Sequence, residues 1–140
     1  MEFPVVLSIE GKQSYMDQEP EIIELVTEGV MEESDGGWNI SYEESDLTGL
    51  QGVTTTFRIR PGEVVLDRTG KLTSQMVFVE GKKHDSLYQM EFGALMLTVC
   101  ATRVSYDLTE AGGTVDLSYQ IEIEQTSAGV IDYHLEIRKK

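Results

Sequence analysis

The chain has almost no cysteine and no membrane-length apolar run, and we expect no secretory signal. Its one cysteine, Cys100, lies in the apolar run 94–101 and has no partner for an intrachain disulfide. A reduced, buried thiol that packs as a small hydrophobe is the favoured interpretation; a catalytic thiol is the alternative, but no local motif accompanies it. Residues 1–4 lack the basic start of a signal peptide, and no apolar run approaches the roughly 20 residues of a spanning helix. We expect one cytoplasmic domain over residues 1–140, which is long enough to bury its own core.

Basic residues are also scarce, most of all in the first third. The chain has 11 Lys and Arg against 25 Asp and Glu, and Lys12 is the only base among residues 1–50, which hold 13 acids. Nucleic acids and anionic membranes are bound through basic side chains, so this composition argues against both as partners. A basic protein or a cation remains an alternative. So does a plain role of the acids in keeping the protein soluble and monomeric.

Standard catalytic and metal-binding signatures are missing. The chain contains no G-x-S-x-G, no phosphate-binding G-x-x-x-x-G-K-[ST], no H-E-x-x-H and no C-x-x-C. Its acidic runs, 32–35 and 43–46, do not have the spacing of a calcium-binding loop, and the chain lacks the histidines and cysteines of a zinc site. We therefore predict no metal site and no cofactor.

What the chain does have is a strict alternation of apolar and polar residues in its last quarter, 114–138. The apolar members are Val115, Leu117, Tyr119, Ile121, Ile123, Ile131, Tyr133, Leu135 and Ile137. Successive side chains of a strand point to opposite faces, so period two over neighbouring segments predicts antiparallel strands with one buried face. We expect the inner face of this hairpin to be apolar and uncharged.

Turn residues divide the whole chain into about nine or ten strand-like segments. They lie near residues 5–8, 21–32, 38–45, 53–60, 63–68, 73–80, 85–92, 94–107, 114–125 and 130–138. An open sheet of this size would leave two long edges, so we predict an all-β, antiparallel barrel of about 8–10 strands. Segment 21–32 also fits a helical stripe, but we predict a strand there with a bulge at Gly29. We further expect a turn at Gly11 and a short helical turn near 46–50.

Two groups of polar residues lie on otherwise apolar strands. His84 directly precedes segment 85–92, and it has the same parity as Tyr88 within that segment. Both side chains are therefore expected to point toward the barrel interior or its mouth. They could act as an acid–base pair; the alternative is a strand-end histidine beside a core tyrosine. Arg68 shares parity with apolar neighbours, so its charge needs either a carboxylate such as Glu44 or an anionic ligand.

Short motifs along the chain resemble the YwiB-like bacterial proteins, a family of unknown function. They are Tyr42-Glu43-Glu44-Ser45, Thr48-Gly49-Leu50, Arg68-Thr69-Gly70, Met76-Val77-Phe78, His84 with Tyr88, Phe92-Gly93, Thr102 and Tyr119. The resemblance implies a calycin-like, lipocalin-related barrel, a fold that often holds a small apolar or amphipathic ligand. Fold alone is weak support for a shared function.

Three functional hypotheses follow. The leading one is a non-enzymatic, cytoplasmic, calycin-like barrel that binds a small ligand or partner at one open end; its polar candidates are Arg68, His84, Tyr88, Tyr42 and Glu44. The second is an interaction module, either a homodimer that joins edge strands or an acidic face for a basic partner. The third is an enzyme that uses His84 and Tyr88. The sequence leaves open whether the barrel is hollow or filled by its aromatic and methionine side chains.

Overall fold

The protein is an all-β barrel. The computed structural model describes residues 2–14, 19–34, 36–44, 51–90, 93–124 and 126–140, and no helix occurs among them. The ten strands are β1 (Glu2–Ser14), β2 (Glu21–Ser34), β3 (Gly37–Glu43), β4 (Val53–Arg60), β5 (Glu63–Gly70), β6 (Ser74–Phe78), β7 (Lys83–Met90), β8 (Gly93–Thr109), β9 (Gly112–Ile123) and β10 (Thr126–Lys139). In the described part of the chain, no helix has the length and apolar character to cross a membrane. The helical turn predicted near 46–50 lies outside the described residues.

The strands follow one another around the barrel in chain order. The hydrogen-bonded order is β6-β5-β4-β3-β2-β1-β10-β9-β8-β7, with every pair antiparallel. Pairing of β1 with β10 joins the two ends of the chain, so that Leu7 lies between Thr27 of β2 and Ile137 of β10. The result is a nearly closed barrel; among the residues that the structure describes, β6 and β7 face each other across the remaining gap without a ladder of hydrogen bonds.

Alternation of side chains builds the core, as predicted. In the last hairpin Val115, Leu117, Tyr119 and Leu135 are buried, which confirms the predicted inner face. One half of the barrel interior is filled by fully buried side chains, among them Val5, Leu7, Met31, Ile40, Phe57, Ile59, Val64 and Leu66. Each large apolar side chain removed from water contributes roughly 1.5–3 kcal/mol, so this half anchors the fold.

Two glycines have a different role from the predicted one. The predicted turn at Gly11 is wrong, because Gly11 lies within β1, opposite Tyr133; a Cβ there would stand 3.2 Å from the Tyr133 ring. The predicted bulge at Gly29 is also wrong, because β1 and β2 pair without a register shift. A Cβ at Gly29 would stand 2.5 Å from the carbonyl oxygen of Ser41. Both glycines allow close approach within the barrel rather than a change of chain direction.

Two other expectations concern β2 and β8. Segment 21–32, for which a helical stripe was the alternative, forms the strand β2. Cys100 is only half-buried, because it alternates with the buried residues Val99 and Ala101 and so faces the opposite side of β8. The expectation of a buried thiol is therefore wrong. An apolar run does not imply burial of every member when successive side chains point in opposite directions.

Candidate functional site

The barrel interior contains a cavity of about 350 Å³ at the end where β1 finishes. It lies beyond the filled half, and nine of the ten strands contribute to its wall. Its lining residues are Ile9, Gly11, Gln13, Ile23, Leu25, Tyr42, Glu44, Arg68, Met76, Tyr88, Leu97, Tyr119, Ile121, Ile131 and Tyr133. The barrel is thus filled at one end and hollow at the other, which answers a question that the sequence left open.

Four of the five predicted site residues line this cavity. Tyr42 comes from β3, Glu44 follows that strand, Arg68 comes from β5 and Tyr88 from β7. Tyr42 and Arg68 are brought together because β4 lies between their strands and pairs with both: Thr55 is opposite Tyr42 on one side and Arg68 on the other. Strand pairing therefore gathers residues that are 26 positions apart in the sequence.

Arg68 is the one cation among the described residues that line the cavity. Its side chain is 12% exposed, and its Nε lies 3.9 Å from Oε2 of Glu44, whose side chain is 1% exposed. The hydroxyl of Thr55 donates a hydrogen bond to the same carboxylate, which is also hydrogen-bonded to the Tyr42 hydroxyl. Within the described residues, Arg68 Nε has no hydrogen-bond partner. The guanidinium is thus charge-balanced but keeps donor capacity.

Burial and charge shift two pKa values in this cluster. Burial raises the pKa of Tyr42 above its ordinary value of 10.0, and the neighbouring Glu44 carboxylate raises it further, although Arg68 acts in the opposite direction. Burial on its own lowers the pKa of Arg68. Tyr133, Tyr119, Tyr42 and Glu44 outweigh that effect, and the pKa is raised above its usual value. At neutral pH the cavity therefore holds a neutral Tyr42 hydroxyl beside a charged guanidinium.

Two further tyrosines, Tyr119 and Tyr133, add hydroxyl groups to the wall, which also includes the polar side chain of Gln13. The Tyr119 and Tyr133 ring centroids are 6.3 Å apart, and Tyr119 also packs against Phe78 at 4.6 Å. The sequence placed both tyrosines on the inner face of the last hairpin but assigned them to apolar packing. The signal that could have identified them is that they are tyrosines, because a tyrosine on an inward face carries a hydroxyl that needs a polar partner.

His84, the fifth predicted residue, lies elsewhere. Its parity is as predicted, since His84, Ser86 and Tyr88 are the more buried residues of β7. His84, however, lines a separate cleft between β6 and β7, whereas Tyr88 lines the interior cavity. The two residues proposed as an acid–base pair therefore face different cavities, and Arg68 lines both.

The acidic first third of the chain lies on the outside of β1 to β3. Glu10, Glu24 and Glu28 are exposed, and Glu24 and Glu28 alternate along β2 with the exposed apolar residues Ile22 and Val26. Among the described acids of residues 1–50, Glu44 alone is buried. Its carboxylate is therefore the acidic group from this region that belongs to the cavity.

Comparison with known proteins identifies the family but no activity. The family model "Domain of unknown function (DUF1934)" matches residues 7–137. The chain is 31% identical over 108 residues to the "Uncharacterized beta-barrel protein YwiB" of Bacillus subtilis (strain 168), covering 76% of this chain and 74% of that protein. The crystal structure of the ywiB protein from Bacillus subtilis superposes with a TM-score of 0.89 and 24% identity, over 99% of this chain and 93% of that one, a likeness that supports the fold alone. The chain therefore belongs to the DUF1934 family of β-barrel proteins, as its resemblance to YwiB-like proteins implied.

Proposed function

We propose that this protein is a non-enzymatic barrel that binds a small amphipathic molecule in its interior cavity. The observation that carries the proposal is the unfilled volume of about 350 Å³ whose wall includes the buried cation Arg68. Cores normally pack with few voids larger than a water molecule, so an unfilled end of this size is costly in a purely structural barrel. The volume falls at the lower end of the roughly 300–1,000 Å³ range of small-molecule sites.

The apolar part of the wall favours an apolar ligand body. Seven aliphatic or methionine side chains line the cavity: Ile9, Ile23, Leu25, Met76, Leu97, Ile121 and Ile131. Transfer of a ligand's apolar surface from water to such a wall contributes roughly 25 cal/mol per Å². A short hydrocarbon chain or a small ring system therefore fits this wall better than a sugar or a nucleotide.

The polar cluster favours an acidic group at one end of the ligand. A guanidinium has five N–H donors, and Glu44 faces Arg68 Nε at a distance longer than a hydrogen bond. The carboxylate of Glu44 accepts from Thr55 and Tyr42, and Arg68 Nε has no hydrogen-bond partner among the described residues, so this nitrogen can donate to a ligand oxygen. A carboxylate that approaches Arg68 within the cavity would form charge-assisted hydrogen bonds, which are roughly twice as strong as neutral ones.

We also propose that the barrel is calycin-like and that the protein is cytoplasmic. The consecutive antiparallel order around a ligand-sized interior supports a calycin-like barrel. The single, unpaired Cys100 is typical of proteins from reducing compartments and supports a cytoplasmic location. We propose binding rather than catalysis because the candidate acid–base residues, His84 and Tyr88, line different cavities.

Octanoate and its neutral analogue octan-1-ol are suitable probes. We expect both to bind saturably in a calorimetric or NMR titration, and octanoate to bind more tightly because of its carboxylate. Ile131→Phe should abolish binding of both by filling the cavity. The same substitution on the outer face of β2, Ile22→Phe, should leave binding unchanged because Ile22 is exposed.

Variants of Arg68 separate the polar from the apolar contribution to ligand affinity. Arg68→Met should weaken octanoate about ten-fold or more, in line with a lost charge-assisted hydrogen bond, and leave octan-1-ol little changed. Arg68→Lys keeps the charge in a folded barrel and should give an intermediate affinity for octanoate. Absence of saturable binding for both probes, or equal binding by wild type and Ile131→Phe, would refute the proposal.

A further inference from the structure

The barrel wall is interrupted between β6 and β7. These strands are consecutive in the chain, yet within the described residues the bridge beside them is a single pair: Thr73, just before β6, and Gln89 of β7 exchange backbone hydrogen bonds of 3.0 and 2.9 Å. At the other end of the gap, the connecting turn is closed by a hydrogen bond from Lys82 N to the carbonyl oxygen of Val79. Between these two points lies a cleft of about 410 Å³, which we call the seam cleft. It is lined by residues 67–69, 73–75, 84–87 and 89.

Buried polar atoms without hydrogen-bond partners concentrate at the seam cleft. All five such side-chain atoms among the described residues belong to residues that line the cleft. One is Asp67 Oδ2, which has no hydrogen bond but lies 2.6 Å from the Arg58 guanidinium; the other four are Arg68 Nε, Ser74 Oγ, His84 Nδ1 and Ser86 Oγ. Ser74 is only 4% exposed. Native proteins pair nearly all buried polar atoms with protein groups, water or ligands. Four unpaired groups that converge on one cleft therefore indicate a place where a polar species binds.

The chemistry of these four groups favours an anion. The Arg68 Nε can only donate, whereas both serine hydroxyls and the His84 Nδ1 can donate or accept, so all four can point hydrogens at the same bound group. The described carboxylates on the cleft each face a partner of their own, although the Oδ2 atom of Asp67 has an ion pair and no hydrogen bond. Asp67 Oδ2 lies 2.6 Å from Arg58, Asp67 Oδ1 accepts from Gln75 at 3.0 Å, and Asp85 accepts from the Thr98 hydroxyl at 2.7 Å.

The charge distribution of the chain also permits an anion here. The seam cleft is built by β5 to β7, outside the acidic residues 1–50; residues 51–140 carry 10 bases and 12 acids. Among the described acids of residues 1–50, Glu44 lies near Arg68, with its Oε2 3.9 Å from the Arg68 Nε. Arg68 therefore stands between Glu44 in the interior cavity and the donors of the cleft, and it lines both spaces.

We propose that the seam cleft is a second binding site, for a small tetrahedral oxyanion such as inorganic phosphate or the phosphate group of a small metabolite. Ser74, Ser86 and His84 donate hydrogen bonds to its oxygens, and Arg68 supplies the positive charge. A tetrahedral oxyanion suits the site because it offers oxygens in several directions to donors that come from three different strands. This site does not depend on the amphipathic ligand proposed for the interior.

The test is an NMR titration of the full chain with inorganic phosphate at neutral pH. We expect saturable shifts centred on the backbone amides of Ser74, His84 and Ser86. Ser74→Ala and Ser86→Ala should each weaken phosphate about ten-fold, as expected for a lost hydrogen bond to a charged group, and the double variant should show no saturation. The control is Ser105→Ala, because Ser105 is exposed on β8 outside the cleft. Its phosphate affinity should equal that of the wild type.

Parallel titrations identify the form of the anion and separate this proposal from the previous one. Tighter binding of glycerol phosphate than of inorganic phosphate would assign the cleft to a phosphomonoester, and the reverse order to the free ion. Ile131→Phe, which fills the interior cavity, should leave phosphate binding intact. The proposal is overturned if phosphate gives no saturable shifts at the cleft, if the serine variants bind as wild type does, or if a crystal grown with phosphate shows only ordered water at the four atoms.

Discussion

Replacing Tyr42 with phenylalanine tests whether its hydroxyl is held in the protonated form inside the barrel. Burial and the adjacent Glu44 raise the pKa of Tyr42 above 10.0 in the folded chain. A group with a raised folded pKa contributes its full stabilisation below the unfolded pKa and loses it as the pH rises through the folded value. We therefore expect the wild-type free energy of unfolding to fall above pH 10, where the unfolded chain alone releases this proton.

The size of this fall in the free energy of unfolding follows from the release of one proton and from the pKa of tyrosine in the unfolded chain. The wild-type contribution falls by RT ln(1 + 10^(pH − 10)), which is below roughly 0.1 kcal/mol at pH 9 and about 1.4 kcal/mol at pH 11. At pH 8, Tyr42→Phe costs about 1.5–3 kcal/mol because it removes a hydrogen bond to a charged carboxylate. The variant has no such proton to release. The difference in free energy of unfolding between wild type and Tyr42→Phe should therefore shrink by about 1.4 kcal/mol between pH 8 and pH 11.

Urea denaturation at 25 °C measures this gap. Trp38 is the single tryptophan and is 9% exposed, so its fluorescence reports on unfolding of the core. Thr55→Val is the matched control, because it also removes a hydrogen bond to Glu44 but carries no group that titrates near pH 10. A Tyr42→Phe gap that is the same at pH 8 and pH 11, or a Thr55→Val gap that narrows equally, would refute the reasoning.

Three other perturbations test the core, the turns and the outer surface. Phe57→Ala, at a side chain that is 2% exposed in the filled half, should lower the free energy of unfolding by about 3–5 kcal/mol in urea denaturation. Gly113→Ala should destabilise far more than Gly62→Ala in a thermal melt: both have positive φ, but a new Cβ stands 1.9 Å from a carbonyl oxygen at Gly113 and meets nothing within 4 Å at Gly62. A hydrogen bond to Asp116 raises the pKa of His134 above 6.5, so an NMR titration should show its midpoint falling in Asp116→Asn. An unchanged midpoint would contradict that assignment.

The strands could be predicted because the relevant information is local. Alternation in 114–138 follows from the geometry of each residue and its two neighbours, and the structure confirms strands there and in segment 21–32. The errors at Gly11 and Gly29 have the opposite cause. A side chain at Gly11 would crowd Tyr133, and one at Gly29 would crowd Ser41. Both neighbours are distant in sequence, so a local turn or bulge was the wrong explanation.

The polar residues of the cavity could be predicted only in part. Inward parity on apolar strands correctly indicated Arg68 and Tyr88, which both line the cavity. Parity did not separate His84 from Tyr88, because residues on the same face of one strand can lie on either side of a gap in the wall. That gap depends on how β6 and β7 diverge, a matter of closing the barrel rather than of either strand's sequence.

The sequence by itself determined the all-β class, most of the strand segments, the apolar inner face of the last hairpin, and the concentration of acid in the first third. Each of these depends on composition or on a period of two along the backbone. The tertiary structure alone decided that one half of the barrel is filled and the other hollow, that Arg68 stands beside Glu44, and that four polar groups converge at the seam cleft. The physical reason is that cavity volume and the pairing of buried charges depend on residues from strands far apart in the chain, which meet only when the barrel closes.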